Sequence, residues 1–256
     1  NELILNKNFR LNFDICFFIN LDEYGPASFK LTKISLLTYN CHLFGDSISF
    51  GQLISPHKTW VSGLSIGLDN LSQDLAITLQ NASVNGNTTR QALERMPYEV
   101  TSQHPDILLI QFGMNDCNYW ETDFGVPRVS PKAFQANLIE MGQRAIACGS
   151  QMIFLGTNHR SLQGRFPHRV EVSYSESNRY YNELIRETAV SMNSEETPVI
   201  LIDHENSWQQ HLKTKPEVSL KDLLLPDGIH LSELGHQLYE QNVLSIVLPA
   251  VRSLIG

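Results

Sequence analysis

Long apolar runs are missing from this 256-residue chain. Nothing in it approaches the roughly eighteen consecutive apolar residues that cross a bilayer. The apolar segment at residues 15–19 is too short for the core of a secretory leader. A soluble, cytoplasmic protein is the expectation, although a chain that starts with Asn1 rather than Met leaves a removed leader open. Cysteine is sparse as well. Cys16, Cys41, Cys117 and Cys148 lie far apart with no C-x-x-C pair, which argues against both a zinc site and a disulfide framework. The nine histidines form no His-Glu-x-x-His or comparable ligand spacing, and Asp203-His204-Glu205 reads as the end of a strand, so no metal requirement is expected. Neither phosphate-binding glycine fingerprint occurs, and no cofactor is expected. Positive charge is in deficit too, with a formal net charge of −8. That balance argues against long-range attraction to nucleic acid or anionic lipid, which requires clustered Lys and Arg. The partner it suits is a neutral or cationic small molecule. Repeats and low-complexity tracts are lacking, and nothing in the sequence addresses oligomeric state.

What remains is an ordinary globular composition, 42% apolar and 18% charged. From Phe9 to Leu21 every odd position is apolar, the period-two pattern of a half-buried strand. A turn signal at Gly25-Pro26 and apolar residues near 29–31 bring it back as a hairpin. Residues 1–33 therefore read as an N-terminal β-hairpin-like extension and 34–256 as the main domain. There, short apolar runs at 34–44, 75–79, 107–112, 152–155 and 199–202 alternate with helix-period segments. Helix starts are marked by Ser130 with Pro131, by Thr88 with Gln91 as a capping box, and by Ser175. Gly149 ends the helix begun at Pro131. A last helix from about Ser232 carries Leu234, Leu238, Val243, Leu244 and Val247 on one face until Pro249 disturbs it. The expected fold is α/β: a three-layer α/β/α sandwich around a mostly parallel, flavodoxin-like five-stranded sheet.

In such a sheet the strands' C-terminal ends share one edge, where functional groups collect. After the first strand comes Gly45-Asp46-Ser47, a serine at a glycine-assisted turn that would pass, alone, for a helix cap. After the second comes Asn85-Gly86, where the backbone can approach a ligand and offer an N–H, or simply turn. After the third comes Gly113-Met114-Asn115-Asp116, which brings a side-chain amide to the same edge. Near the C-terminus Asp227-Gly228-Ile229-His230 sets a carboxylate and an imidazole within one turn. That pair can supply both the base a serine nucleophile needs and the anion behind it.

Four such blocks in this order resemble the SGNH (GDSL-type) hydrolases, and the match runs from Ile34 to Gly256 with no substitution at a key position. The resemblance implies a serine esterase in which Ser47 attacks, His230 is general base and then acid, and Asp227 orients it. It also implies an oxyanion hole made by the N–H groups of Ser47 and Gly86 and the amide of Asn115. Residues 81–90 look most like the bacterial acyl-esterase, thioesterase and lysophospholipase branch. The expected activity is hydrolysis of small or medium acyl esters. Transfer of the acyl group to a sugar hydroxyl would use the same residues, and a noncatalytic carbohydrate-binding protein could share the fold. The intact Ser47, Asp227 and His230 argue against the last. Residues 1–33 are a departure that the resemblance does not explain.

A literal G-x-S-x-G at Gly63-Leu64-Ser65-Ile66-Gly67 lacks the buried strand that this motif requires and lies among apolar residues at helical spacing, so Ser65 reads as a helix residue. The segment 117–128 is long for a connection in such a fold. Tyr119, Trp120 and Phe124 within it are candidates to shape the substrate pocket, with plain packing as the equal alternative. Asp46 and, after the fourth strand, His159 are further candidates for substrate contact.

Overall fold

A computed structural model describes residues 37–72, 75–163 and 171–256. The proposed N-terminal hairpin lies outside them. Five strands, β1 (Leu37–Gly45), β2 (Leu75–Asn81), β3 (Ile107–Gln111), β4 (Met152–Gly156) and β5 (Val199–Ile202), form one parallel sheet in the order β2-β1-β3-β4-β5. Every residue of β3 and β4 is buried, as expected of strands covered on both faces. Strand order reverses between β1 and β3, where register pairs Gly45 with Gln111. The segments leaving these two strands therefore start level with one another, and the crevice between them is where open α/β sheets bind ligands.

Among the described residues seven α-helices accompany the strands: α1 (Ser47–Phe50), α2 (Trp60–Asp69), α3 (Thr89–Glu99), α4 (Pro131–Ala147), α5 (Tyr174–Met192), α6 (His204–Thr214) and α7 (Glu233–Ile255). The expected starts at Thr88 and Ser130 are present: Gln91 accepts the Thr88 N–H at 2.9 Å, and the Ser130 hydroxyl accepts the Ala133 N–H. Gly149 follows the end of α4. The cap of α5 is Ser173, two residues before the expected Ser175, because Ser173 and Glu176 form a reciprocal capping box. The Ser175 hydroxyl instead donates to the Gln163 carbonyl at 3.0 Å. Helix α7 runs through Pro249 rather than stopping there. A proline costs the helix a hydrogen bond, but Val247 and Val251 on either side are fully buried, and their packing carries the helix across. Asp203-His204-Glu205 opens α6, with Asp203 as its cap, and Arg186 bridges both carboxylates.

The G-x-S-x-G match lies on α2, with Ser65 exposed. Its glycines serve packing against α7. A Cβ on Gly63 would stand 2.1 Å from the Glu240 side chain, and one on Gly67 2.7 Å from Leu244. No helix among the described residues is long and apolar enough to cross a membrane.

Candidate active site

The serine turn is built by hydrogen bonds from three directions. Asp46 caps α1, its Oδ1 accepting the Ile48 N–H at 3.0 Å. From the α2 side the Trp60 indole N–H donates to the Ile48 carbonyl at 3.0 Å, and from the β2 side the Asn81 amide donates to the Ser49 carbonyl at 2.9 Å. Ser47 is thereby held rigidly at the edge of the sheet, and its Oγ lies 3.0 Å from His230 Nε2.

Behind His230 stands Asp227. Its Oδ2 is 2.6 Å from His230 Nδ1, while its Oδ1 accepts the backbone N–H groups of Ile229 and His230 at 2.9 and 3.0 Å. One carboxylate thus shapes the turn and orients the ring. Partial burial raises its pKa, but the bonds from the His230 ring and the two N–H groups outweigh that and leave it below the ordinary aspartate value, ionised behind the imidazole. The turn itself is gripped from the segment after β4. Gln163 Nε2 donates to the Asp227 carbonyl at 2.6 Å, the Leu162 N–H to the Gly228 carbonyl at 2.8 Å, and His159 Nε2 meets the Ile229 carbonyl at 2.7 Å.

Gly86 has φ +75, a left-handed conformation in which glycine carries no steric penalty. Asn115 is half-buried, and its Nδ2 donates to Asp46 Oδ2 at 3.3 Å, which fixes the amide and leaves its second hydrogen for a ligand. Asp116, fully buried, accepts from the Thr89 N–H at 2.9 Å and the Thr89 hydroxyl at 2.5 Å, tying the loop after β3 to the start of α3. Two arginines complete the frame. Arg95 donates to the carbonyls of Ala82 and Gly45 and to Asn87 Oδ1, while Arg128 donates to Asn115 Oδ1 and the Gly86 carbonyl. Sequence reading passed over both. Nothing in composition separates a framework arginine from a solvated one; only the carbonyls brought near by the fold do.

Residues 43–238 match the model of the GDSL-like lipase/acylhydrolase family, which is most of the chain. This chain belongs to that family. An arylesterase from Vibrio mimicus is 27% identical over 202 residues, covering 79% of this chain and 84% of the relative. An acetylxylan esterase from Geobacillus stearothermophilus is 25% identical over 194 residues, covering 74% and 80%. A lipase/acylhydrolase from Enterococcus faecalis shares the fold with a TM-score of 0.63 at 23% identity, across 84% of this chain and 96% of that one. The SGNH/GDSL-type hydrolase described here is a carboxylic ester hydrolase, as its family and its esterase relatives indicate.

Two expected substrate contacts of this GDSL hydrolase need correction. Asp46 is 1% exposed and spends both carboxylate oxygens inside the protein, on Ile48 and Asn115. His159 is fully buried, packed against the rings of Trp208 and Tyr239, with Nδ1 3.0 Å from the Tyr239 hydroxyl and Nε2 on the Ile229 carbonyl. Both ring nitrogens are engaged beneath the His230 turn, so neither residue opens toward a substrate. On the loop after β3, Tyr119 is half-buried, while Trp120 and Phe124 are exposed. Three α5 hydroxyls pin the loop's base: Tyr174 to the Met114 carbonyl, Ser177 to Cys117 and Tyr181 to Val129. Its tip carries the aromatic rings.

Burial pushes the Asp46 carboxyl of this hydrolase up to about 7, against the Ile48 N–H that favours the anion. Asp116 is likewise raised by burial, to about 6. A folded-state pKa above the unfolded value of about 3.9 stabilises the protein fully below pH ~4, and that stabilisation is lost as pH rises through 7. Asp46→Asn removes one such titration. Urea midpoints at pH 5 and pH 8 should lie closer together in the variant than in wild type; an unchanged gap would assign the dependence to other groups.

Proposed function

We propose that the chain hydrolyses carboxylic esters of small or medium acyl groups through an acyl-enzyme on Ser47. The observation that carries this reading is the continuous hydrogen-bonded chain from Ser47 Oγ through both nitrogens of His230 to Asp227 at the crevice of the sheet. Ser47 Oγ attacks the ester carbonyl as its proton passes to His230 Nε2, and the carbonyl electron pair moves onto oxygen. The oxyanion is received by the N–H groups of Ser47 and Gly86 and by Asn115 Nδ2. Collapse restores the carbonyl and expels the alcohol oxygen, which takes the proton from His230. Water then repeats the sequence on the acyl-enzyme, releasing the acid and regenerating Ser47. Asp227 keeps the Nδ1 proton in place and stabilises the imidazolium throughout.

Trp120 and Phe124 line the approach to this centre and contact the acyl or alcohol portion of the ester. Their exposure, on a loop whose base is tightly held, supports that role. The decisive experiment is a series of nitrophenyl esters from acetyl to palmitoyl, run beside acetylated sugars, with fluorophosphonate labelling of Ser47. Turnover concentrated on short and medium chains, with label on Ser47, is expected. No labelling would refute the acyl-enzyme. Trp120→Ala and Phe124→Ala should reorder preference across the series while shifting the melting temperature little; a shift in stability alone would leave the loop a packing element.

A further inference from the structure

Arg128 stands at the root of the aromatic loop and reaches back to the two oxyanion donors that are not part of the nucleophile turn. Its Nη1 donates to Asn115 Oδ1 and its Nη2 to the Gly86 carbonyl, each at 3.3 Å. The guanidinium carbon lies 4.2 Å from the centre of the Trp120 ring, which covers one face of the cation. Among the described residues its guanidinium forms no close salt bridge, and Asp116 and Asp123 act on its charge from further off. The backbone N–H of Arg128 donates to the Asn118 carbonyl at 2.9 Å, anchoring the side chain's origin as well. The guanidinium is a rigid planar fork, able to hold two acceptors at once in a way an ammonium cannot.

We propose that Arg128 is a positioning residue for the oxyanion hole, setting Asn115 and Gly86 together for the tetrahedral intermediate. This rests on the reading of Ser47, Gly86 and Asn115 given above. An asparagine amide that flips exchanges its donor for its acceptor and would turn an oxygen toward the developing anion. Asp46 on Nδ2 and Arg128 on Oδ1 recognise the two ends of the Asn115 amide differently, so only one orientation satisfies both. The Gly86 carbonyl, held by the same fork, fixes the backbone whose N–H faces the ligand. A bond from a cation also draws electron density from the amide and makes the Nδ2 hydrogen a stronger donor. Since an oxyanion exists only after attack, the contribution belongs to the transition state and not to ground-state binding.

The test uses nitrophenyl acetate with wild type, Arg128→Ala and Arg128→Lys. Arg128→Ala should lower kcat by about 10- to 100-fold, below the 10²–10³ typical of removing a donor itself, with KM nearly constant. Arg128→Lys, keeping the charge and one bond, should fall between. A boronic acid, which becomes a tetrahedral anion on Ser47, should lose affinity for Arg128→Ala in proportion to the loss in kcat. Added guanidinium should partly restore that variant and leave wild type unimproved. In an Asn115→Ala background, removal of Arg128 should cost less than it does in wild type. A raised KM at constant kcat, or full additivity with Asn115→Ala, overturns the proposal. If Arg128→Ala does not fold, the kcat, KM and boronate readings on Arg128→Lys decide the matter. Ser47→Ala separates the two levels: activity surviving that change sinks the reading of Ser47 as nucleophile, whereas a dead Ser47→Ala beside an unaffected Arg128→Ala sinks only this inference.

Discussion

Ser47→Ala should reduce ester hydrolysis by about 10⁴- to 10⁶-fold while the protein folds normally. The size of the loss follows from the serine and the imidazole acting as a unit, so that without Oγ His230 has no nucleophile to activate. Stability should hardly move. The serine's side chain gives up one hydrogen bond, worth about 1 kcal/mol, and the turn around it is held by Asp46, Trp60 and Asn81. Ser65→Ala is the matched control. Ser65 is exposed in the middle of α2, where alanine is the better helix former, so full activity and an equal or slightly higher melting temperature are expected. Side-by-side rates on nitrophenyl acetate and thermal melts of the two variants check both statements. Activity lost in Ser65→Ala and kept in Ser47→Ala would move the nucleophile to the wrong helix.

Asn115→Ala is expected to lower kcat by about 10²- to 10³-fold, or roughly 2.7–4 kcal/mol of transition-state stabilisation. KM should change little, since in the proposed mechanism the amide meets charge that appears only after attack. Two partners are stranded by the change, Asp46 Oδ2 and one arm of Arg128, but water can reach the half-exposed arginine. Steady-state kinetics with active-site titration separate the effect from misfolding. A rise in KM at constant kcat would place Asn115 in substrate binding and outside the oxyanion hole.

The strands were the most legible part of the chain because the buried parallel sheet writes itself as short continuous apolar runs. β5 spans the expected residues, and β2 to β4 differ from expectation by a residue or two at their C-terminal ends. Places where two local signals competed were less legible. Ser173 and Ser175 both suit a helix start, and Glu176, placed to reciprocate with Ser173, decides between them. Pro249 carries a local penalty that only tertiary burial offsets. The four site blocks could be read because each occupies a fixed place after a strand or in the last loop. His159 shows the limit of that logic. A polar residue just past a strand can face the crevice or turn beneath it, and the direction is set by Trp208 and Tyr239, which arrive from α6 and α7. Arg95 and Arg128 were invisible for a related reason, since acceptors such as the Gly45 and Gly86 carbonyls are brought to them only by the fold.

The grip on three successive carbonyls of the His230 turn has a further consequence. Asp227, Gly228 and Ile229 are braced by residues following β4, whereas the aromatic loop hangs from β3 and is braced by α5. Helix α5 also holds that post-β4 segment, through the Ser175 hydroxyl on the Gln163 carbonyl and the Asn178 amide on the His159 carbonyl, so the His230 turn and the aromatic loop share one support. Substitutions at the exposed tip of the loop, away from α5, leave this common support in place, whereas a change on the face of α5 that carries these side chains would disturb both segments together.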